Sequence, residues 1–373
     1  MESTLDGAAG SAGGTHRSFE IGDASGVAFA RRGATEAARI AALTETDAGR
    51  LAIVLTEAAT NILKHAGHGE LLVRPLEGAV ELIALDSGPG MTDVGAALAD
   101  GHSTAGTPGT GLGAIRRLSN QFAVYSQPGA GTVLRVLVQK SGGNGARPPF
   151  TGPEIGAVCV PHPGEEVCGD GWIAQGDQSG LTLALADGLG HGAEAHVAAA
   201  AALDVLRRRA GLAPAALMDL SHAALRPTRG AALALVRIDL TRGALAFCGT
   251  GNISAVAYGA GRPADSRTSA GHARPGAGTP SARECYQLTS RNGIVGHTMR
   301  GIQEFELTWG ENALLVLHSD GIGTRWDLAA WPGLANQPAV VIAAVLYRDF
   351  ARRRDDATVV VVRARPGVQL NHE

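Results

Sequence analysis

Acidic residues stand at the ends of apolar, strand-like runs four times in the second half of the chain. The four places are Asp170-Gly171, Asp187 at the head of Asp-Gly-Leu-Gly-His-Gly, Asp320-Gly321, and Asp355-Asp356. An isolated Asp-Gly is most often a turn, but four clusters that each abut a strand argue against coincidence. Because strand ends can meet at one edge of a sheet, the pattern predicts a layered β-sandwich with an acidic edge.

The ligand chemistry of this edge favours divalent metal ions. Carboxylate oxygens without a cysteine pair or a histidine pair suit Mg²⁺ or Mn²⁺. Two such ions can activate a water and neutralise phosphoryl oxygens. His191 lies in the same glycine-rich loop as Asp187. It could be a general acid, but a structural role beside the ligands is the favoured interpretation.

Three polar residues of the first half are spaced four apart, which places them on one face of one helix. They are Glu57, Asn61 and His65. The amide oxygen of Asn61 is a hard ligand suited to Mg²⁺, and Glu57 could orient or deprotonate a water or a substrate hydroxyl. Taken alone, such a stripe is more often a polar surface that faces solvent.

Two glycine-rich loops follow this helix. In the first, Asp86 ends a strand and meets Ser-Gly-Pro-Gly. A buried carboxylate there could accept a hydrogen bond from an exocyclic amine such as that of adenine, while Gly88 and Gly90 let the backbone approach the ring. The second loop runs into a helix, whose N-terminal amides suit phosphate. Its glycines are Gly109, Gly111 and Gly113. The first half therefore predicts a nucleotide pocket.

Length and composition bound the organisation of the chain. With 373 residues it can hold two domains, and a net charge of −3 gives no electrostatic case for nucleic acid. No apolar run approaches the roughly 20 residues of a membrane span, and the four cysteines contain no Cys-x-x-Cys pair. These features predict a reduced, cytoplasmic protein without a membrane segment.

Glycine- and proline-rich stretches set the predicted boundaries. Residues 1–14 are interpreted as a disordered tail and 141–152 as a linker. The predicted domains are then 15–140 and 153–366, and residues 259–281 form a long surface loop inside the second. We expect an α+β fold, with strands and helices mixed in both domains.

In this order, the residues of the first half resemble the Bergerat-fold (GHKL) ATP-binding family. Glu57-x-x-x-Asn61 looks like its N box, Asp86-x-Gly88-x-Gly90 like its G1 box, and Gly109 to Gly113 like its G2 box. The resemblance implies ATP with Mg²⁺ held by Asn61, and a Thr132 that supports the adenine-binding Asp86. The run Thr-Glu-Ala-Ala-Thr-Asn around Glu57 is similar to RsbT-type switch kinases, which phosphorylate serine or threonine on small STAS-domain proteins.

The second half resembles the SpoIIE-like branch of the metal-dependent (type 2C) protein phosphatases, and its compactness is similar to the RsbX type. The matching text surrounds all four acidic clusters. The resemblance implies an αββα sandwich with two Mn²⁺ or Mg²⁺ ions. Asp187 would bridge both ions, the Gly188 carbonyl would support one, Asp320 and Asp355 would hold the second, and Asp170 would contribute directly or through water. Asp356 could replace Asp355.

The leading hypothesis is a bacterial signalling enzyme that joins an ATP-binding switch-kinase-like domain to a phosphoserine/phosphothreonine phosphatase. Glu57 and Asp187 are its candidate catalytic residues, and a phosphorylated STAS-domain protein is its expected partner. The alternative is that the N-terminal domain only binds ATP and serves as a docking or regulatory module for the phosphatase.

Overall fold

A computed structural model describes residues 11–98, 111–142, 152–261, 273–274 and 285–365. Their contacts divide the chain into two compact units. The N-terminal unit comprises His16–Ala146 and Asp327–Asp349. The C-terminal unit comprises Met1–Thr15, Arg147–Trp326 and Phe350–Glu373. The chain therefore passes from one unit to the other four times.

The end of the predicted N-terminal tail is ordered. Strand β1 (Ser11–Gly13) pairs antiparallel with residues 173–175 of the C-terminal unit, and the Trp172 indole N–H donates to the Gly14 carbonyl at 3.0 Å. The backbone of residues 11–14 thus has hydrogen-bond partners at the edge of a sheet, although the sequence predicts disorder there. Residues 1–10 lie outside the described residues.

The N-terminal unit is one antiparallel sheet with helices packed on one face, in the strand order β2-β3-β4-β6-β5. Asp23 and Thr44 cap the first two helices through their side-chain oxygens. The apolar faces of both helices bury against the sheet in one core cluster. The elements are β2 (Arg17–Ile21), α1 (Ala24–Ile40), α2 (Glu45–Asn61), a π-helical turn (Ile62–Ala66), β3 (Gly69–Leu76), β4 (Ala79–Asp86), α3 (Val94–Leu98), α4 (Gly111–Leu118), β5 (Gln121–Gln127) and β6 (Gly131–Gln139).

The C-terminal unit is a sandwich of two six-stranded antiparallel sheets, with the orders β1-β8-β9-β10-β11-β17 and β13-β14-β12-β18-β19-β7. Its elements are β7 (Glu154–Val160), β8 (Asp170–Asp177), β9 (Gly180–Gly188), α5 (Ala193–Arg209), α6 (Pro214–Ala224), β10 (Ala231–Asp239), β11 (Ala244–Thr250), β12 (Ser254–Tyr258), β13 (Ala273–Arg274), β14 (Cys285–Leu288), β15 (Gly293–Ile294), β16 (Thr298–Met299), β17 (Glu304–Thr308), β18 (Leu314–His318) and β19 (Ala357–Arg363). Strands β15 and β16 form a separate two-stranded ribbon.

Alternation along β9 shows why the layers form. Leu181, Leu183 and Leu185 enter the core between the two sheets, while Ala184 and Ala186 point to the opposite face and pack with α5 and α6. Successive side chains of a strand face opposite sides, so one strand supplies large residues to the sandwich and small ones to the helices.

Between β18 and β19 the chain leaves the C-terminal unit. Asp327–Asp349, called the connecting segment below, groups with the N-terminal unit, although the sequence predicts 153–366 as one uninterrupted domain. The segment has two 3₁₀ turns and helix α7 (Ala339–Phe350), whose residues from Ala339 to Tyr347 are all buried. An apolar helix without a polar face does not reveal which unit it packs on.

None of the helices in the described residues combines the length and apolar character that a bilayer span requires. None of the four cysteines forms a disulfide, although the sulfurs of Cys159 and Cys168 lie 3.7 Å apart in the core.

Candidate functional site

The structure brings Glu57 and Asn61 of α2 against the start of α4. A Cβ added to Gly111 would lie 3.2 Å from the Asn61 amide oxygen and 3.5 Å from a Glu57 carboxylate oxygen. The π-helical turn that carries His65 begins directly after Asn61, and such irregular turns are frequent at functional sites. A hard amide oxygen and a carboxylate thus face the start of α4 at Gly111, where a side chain would crowd them.

Asp86 ends β4 and is held from two sides by backbone amides. Its Oδ1 accepts from the Gly88 N–H at 2.9 Å and from the Thr132 N–H at 3.2 Å. Burial raises the pKa of Asp86 above its ordinary value, and these two amides oppose the rise. Thr132 therefore supports Asp86 through its main chain, since its hydroxyl pairs with the Ser126 hydroxyl at 3.0 Å.

The predicted glycines crowd the same pocket. Gly90 has φ +68, and a Cβ there would lie 2.1 Å from the Gln127 carbonyl oxygen. A Cβ on Gly88 would lie 2.6 Å from the Ala66 Cβ. Gly113 is buried within α4, while Gly109 lies outside the described residues. These backbones approach closely around the half-buried carboxylate of Asp86, which could accept a hydrogen bond from an adenine-type amine.

In the C-terminal unit, two of the predicted acids are direct cross-strand neighbours. Asp170 at the start of β8 pairs with Asp187 near the end of β9. Like charges placed opposite each other on a sheet destabilise it. Burial raises the pKa of Asp187 to about 9, and the charges of Asp170, Asp320 and Asp355 add to the effect. Burial likewise raises the pKa of Asp170 to about 7.

Ser319 ties the acidic ends of the two sheets together. Its hydroxyl donates to Asp170 Oδ2 at 2.6 Å and accepts from the Thr358 N–H at 3.0 Å. The serine follows β18 in one sheet, and Asp170 begins β8 in the other. Strand ends from both sheets therefore meet through the hydrogen bonds of Ser319, as the sequence predicts. We call this meeting point of the acidic strand ends the corner.

The remaining acids complete this corner. Asp320 follows β18, and its Oδ2 accepts from the Asn252 side-chain amide at 2.6 Å. Burial raises the pKa of Asp320, and the charge of Asp355 raises it further. Asp356 is 3% exposed; its Oδ1 accepts from the His162 N–H at 2.8 Å, while its Oδ2 is buried without a hydrogen-bond partner.

These observations fit divalent cations. A buried carboxylate oxygen without a partner calls for a positive charge or a donor, and clustered carboxylates with raised pKa values are stabilised by a cation. In the part of the chain that the structure describes, no three His, Cys, Asp or Glu side chains already form a closed coordination group. The acids are thus gathered at one corner without being drawn around a single point.

His191 contacts neither Asp170 nor Asp187 through a hydrogen bond in the described residues. Its Nδ1 lies 2.9 Å from Glu165 Oε1, and its ring stacks on His162 at 4.5 Å between centroids. His162 in turn holds Asp356 through its backbone N–H. The contacts are those of a residue beside the acidic corner.

Four residues that sequence reasoning did not single out belong to these sites. Ser319 and Asn252 hold acids of the corner directly, and the His162 main chain holds Asp356. Arg348 of α7 donates to the Asp86 carbonyl at 3.2 Å. Ser319 precedes Asp320 in the sequence, which was a usable signal, whereas the other three are remote from their partners and carry none.

The fold and the two sites define a class: a histidine kinase-like ATPase domain joined to a type 2C-like phosphatase domain. Residues 23–138 match the family described as "Histidine kinase-like ATPase domain". The chain is 33% identical over 95 residues to the serine/threonine-protein kinase RsbT of Bacillus subtilis (strain 168), covering 24% of this chain and 71% of RsbT. The chain belongs to the RsbT family through this N-terminal domain.

The second half has its own relatives. It is 22% identical over 159 residues to the phosphoserine phosphatase RsbX of the same strain, covering 43% of this chain and 69% of RsbX. The solved PP2C phosphatase domain, with a fragment of the regulatory domain, of SpoIIE from Bacillus subtilis is 17% identical, with a TM-score of 0.44 over 79% of this chain and 82% of that one. The predicted α+β class, a Bergerat α/β sandwich followed by a phosphatase-type sandwich, is confirmed.

Proposed function

We propose that this protein hydrolyses phosphoserine or phosphothreonine on a STAS-domain partner, under the influence of an ATP-binding switch-kinase-like domain. The phosphatase activity is proposed chiefly from the corner, where Ser319 joins Asp170 of one sheet to the strand ends of the other. The partner class is inferred from RsbT, a serine/threonine-protein kinase, and RsbX, a phosphoserine phosphatase. ATP with Mg²⁺ would occupy the first site and two Mn²⁺ or Mg²⁺ ions the second.

The residues of the corner have distinct roles in this proposal. Asp187, with the Gly188 carbonyl, would hold cations on the first sheet, and Asp320 with Asp355 would hold them on the second. Asp170 is fixed by Ser319 and would complete the set. When bound, the cations would supply positive charge to phosphoryl oxygens and to the attacking water.

Overall, hydrolysis breaks the bond between phosphorus and the serine oxygen. Water supplies the new oxygen of inorganic phosphate, and the serine oxygen recovers a proton as hydroxyl. Asn252 and the His162 main chain keep Asp320 and Asp356 in fixed orientations. Preorganised charges of this kind need no rearrangement during the reaction.

Phosphate release from a phosphoserine STAS protein in the presence of Mn²⁺ tests the proposal. Asp187→Asn should lower the rate at least about 100-fold, because even partners of metal ligands cost 10–100-fold when lost. Asp204→Asn, an exposed acid on α5, is the matched control and should leave the rate unchanged. Equal rates for wild type and Asp187→Asn would show that the corner is not the catalytic centre.

The N-terminal site supports a second activity, phosphate transfer from ATP. The main support for this activity is that Glu57 and Asn61 lie against the N-terminus of α4. Glu57→Gln should lower transfer from ATP to a STAS protein about 100-fold or more, as expected for loss of a general base, while ATP binding persists. Glu36→Gln, on the exposed face of α1, is the control. Binding without any transfer by the wild type would favour the regulatory alternative.

A further inference from the structure

The connecting segment Asp327–Asp349 lies between two acids of the phosphatase corner in the sequence. It joins β18 to β19, which are adjacent antiparallel strands of one sheet. Asp320 follows β18, and Asp355 precedes β19. Any displacement of the segment therefore reaches both acids through a few residues of backbone.

The two ends of the segment are clamped together beside these acids. The Gly323 N–H donates to the Phe350 carbonyl at 2.9 Å, and the Arg352 N–H donates to the Gly321 carbonyl at 2.8 Å. Ile322 also forms an isolated antiparallel bridge with Ala351. We call this stretch the neck; its hydrogen bonds join the backbone before the segment to the backbone after it.

At its other side the segment bonds to the nucleotide pocket. Arg348 Nη1 donates to the main-chain oxygen of Asp86 at 3.2 Å. Asp349 fixes the same guanidinium, with Nε to Oδ1 at 2.7 Å and Nη2 to Oδ2 at 3.0 Å. The Arg348 side chain is only 4% exposed. A buried, forked arginine is thus aimed at the residue whose carboxylate would bind the nucleotide base.

Two further bonds attach the segment to the same sheet. The Tyr347 hydroxyl donates to Glu70 Oε1 at 2.9 Å, and the Tyr125 hydroxyl donates to the Pro332 carbonyl at 3.1 Å. Glu70 lies on β3 and Tyr125 on β5. The segment is therefore anchored on both sides of β4, which carries Asp86.

We propose that Arg348 is a positioning residue of the nucleotide pocket and that, through the connecting segment, occupancy of this pocket controls the phosphatase corner. The proposal rests on the proposed function of both sites. An equilibrium can be shifted only by contacts that differ between its states, and Arg348 supplies such a contact at Asp86. A buried ion pair is weak evidence for a purely stabilising role, because apolar residues often stabilise as well.

The test measures Mn²⁺-dependent release of p-nitrophenol from p-nitrophenyl phosphate, with free Mn²⁺ held constant. ATP is compared with GTP, which chelates Mn²⁺ alike but presents a different base to Asp86. ATP, but not GTP, should change the wild-type rate at least about fivefold, the lower range of measured coupling. Arg348→Ala should reduce this response to less than about twofold. Arg325→Ala, an exposed arginine of the same connection, should keep it.

Arg348→Lys is a second variant, used in case Arg348→Ala fails to fold. Lysine keeps one donor for Asp86 but loses the fork to Asp349, so an intermediate response is expected. In wild type, ATP should also alter hydrogen exchange at the Gly323 and Arg352 amides of the neck. A merely structural Arg348 would lower the melting temperature without changing the ratio of rates with and without ATP.

Three results would overturn the proposal. An ATP-independent rate in a wild type that binds ATP and releases p-nitrophenol would remove the coupling and leave the proposed function standing. A full ATP response in folded Arg348→Ala and Arg348→Lys would exclude this arginine. A wild type that neither binds ATP nor releases p-nitrophenol would end the proposed function, and the coupling with it.

Discussion

Ser319 shows how a single uncharged side chain can hold a cluster of negative ones. Its hydroxyl donates a hydrogen bond to Asp170 and accepts one from the Thr358 N–H. Both partners therefore have a hydrogen bond to Ser319, which is fully buried. A neighbouring carboxylate could not do this without adding charge. The serine therefore fixes the geometry of the corner without changing its net charge, which comes from the acids.

Loss of this hydroxyl should weaken both stability and activity. Ser319→Ala removes the acceptor of the Thr358 N–H and one of the hydrogen bonds to Asp170, which costs roughly 1–3 kcal/mol in unfolding free energy. Phosphate release should fall about 10–100-fold, as when the partner of a metal ligand is lost. Urea unfolding and the Mn²⁺ assay measure the two effects. Ser221→Ala is the matched control, since Ser221 Oγ is buried without a hydrogen-bond partner; an equal loss there would contradict the argument.

The acids themselves should make the metal-free protein less stable as pH rises. The pKa values of Asp187 and Asp170 are raised to about 9 and about 7, above the ordinary value near 3.9. Between pH 4 and pH 9 the folded state therefore binds more protons than the unfolded state, so unfolding free energy falls with increasing pH. The contribution of these two carboxyl groups to the unfolding free energy is therefore greatest below pH 4.

Thermal melts in EDTA at pH 5, 7 and 9 check this dependence. The melting temperature should fall by several degrees across the series, since about 1 kcal/mol shifts a domain of this size by roughly 2–4 °C. Asp187→Asn should flatten the slope, and saturating Mn²⁺ should reverse it, because cations bind the ionised carboxylates. A metal-free melting temperature that rises from pH 5 to pH 9 would be incompatible with repulsion among these acids.

At the scale of elements, the nucleotide pocket depends on turns that only glycine can form. Gly90 combines φ +68 with a Cβ position 2.1 Å from the Gln127 carbonyl. Gly90→Ala should cost at least about 2 kcal/mol through backbone strain and overlap, and it should weaken ATP binding about tenfold or more by displacing the loop after Asp86. Gly129→Ala is the control: φ is +77, but nothing lies within 4 Å. It should cost only about 1 kcal/mol and leave ATP affinity unchanged.

The sequence predicts those site residues whose positions follow from local spacing and turn chemistry. Acids at strand ends, the helix with Glu57 and Asn61, and the glycines around Asp86 follow from spacing and turn chemistry. Asn252 and Arg348 could not be found this way, because each meets its acid across many residues of chain. Helix α7 (Ala339–Phe350) is apolar all round, and its partners are set by tertiary packing that no local pattern encodes.

At the scale of the whole molecule, each unit is built from more than one stretch of the chain. Strand β1 precedes the N-terminal unit in sequence but pairs within the C-terminal unit. The connecting segment belongs to the N-terminal unit but lies between β18 and β19. Each half of the chain therefore contributes an element to the fold of the other, and a cut between residues 141 and 152 leaves each borrowed element on the opposite fragment.

A protease site placed in the 141–152 stretch tests this interlocking. After cleavage, the fragments should co-elute in gel filtration, because separation would strip β1 from β8 and the Arg348 and Tyr347 bonds from Asp86 and Glu70. Such losses expose buried apolar surface at roughly 25 cal/mol per Å². Urea should release two fragments, which proves that cleavage was complete. Fragments that part under native conditions, each still folded by circular dichroism, would show that neither half needs the element it borrows.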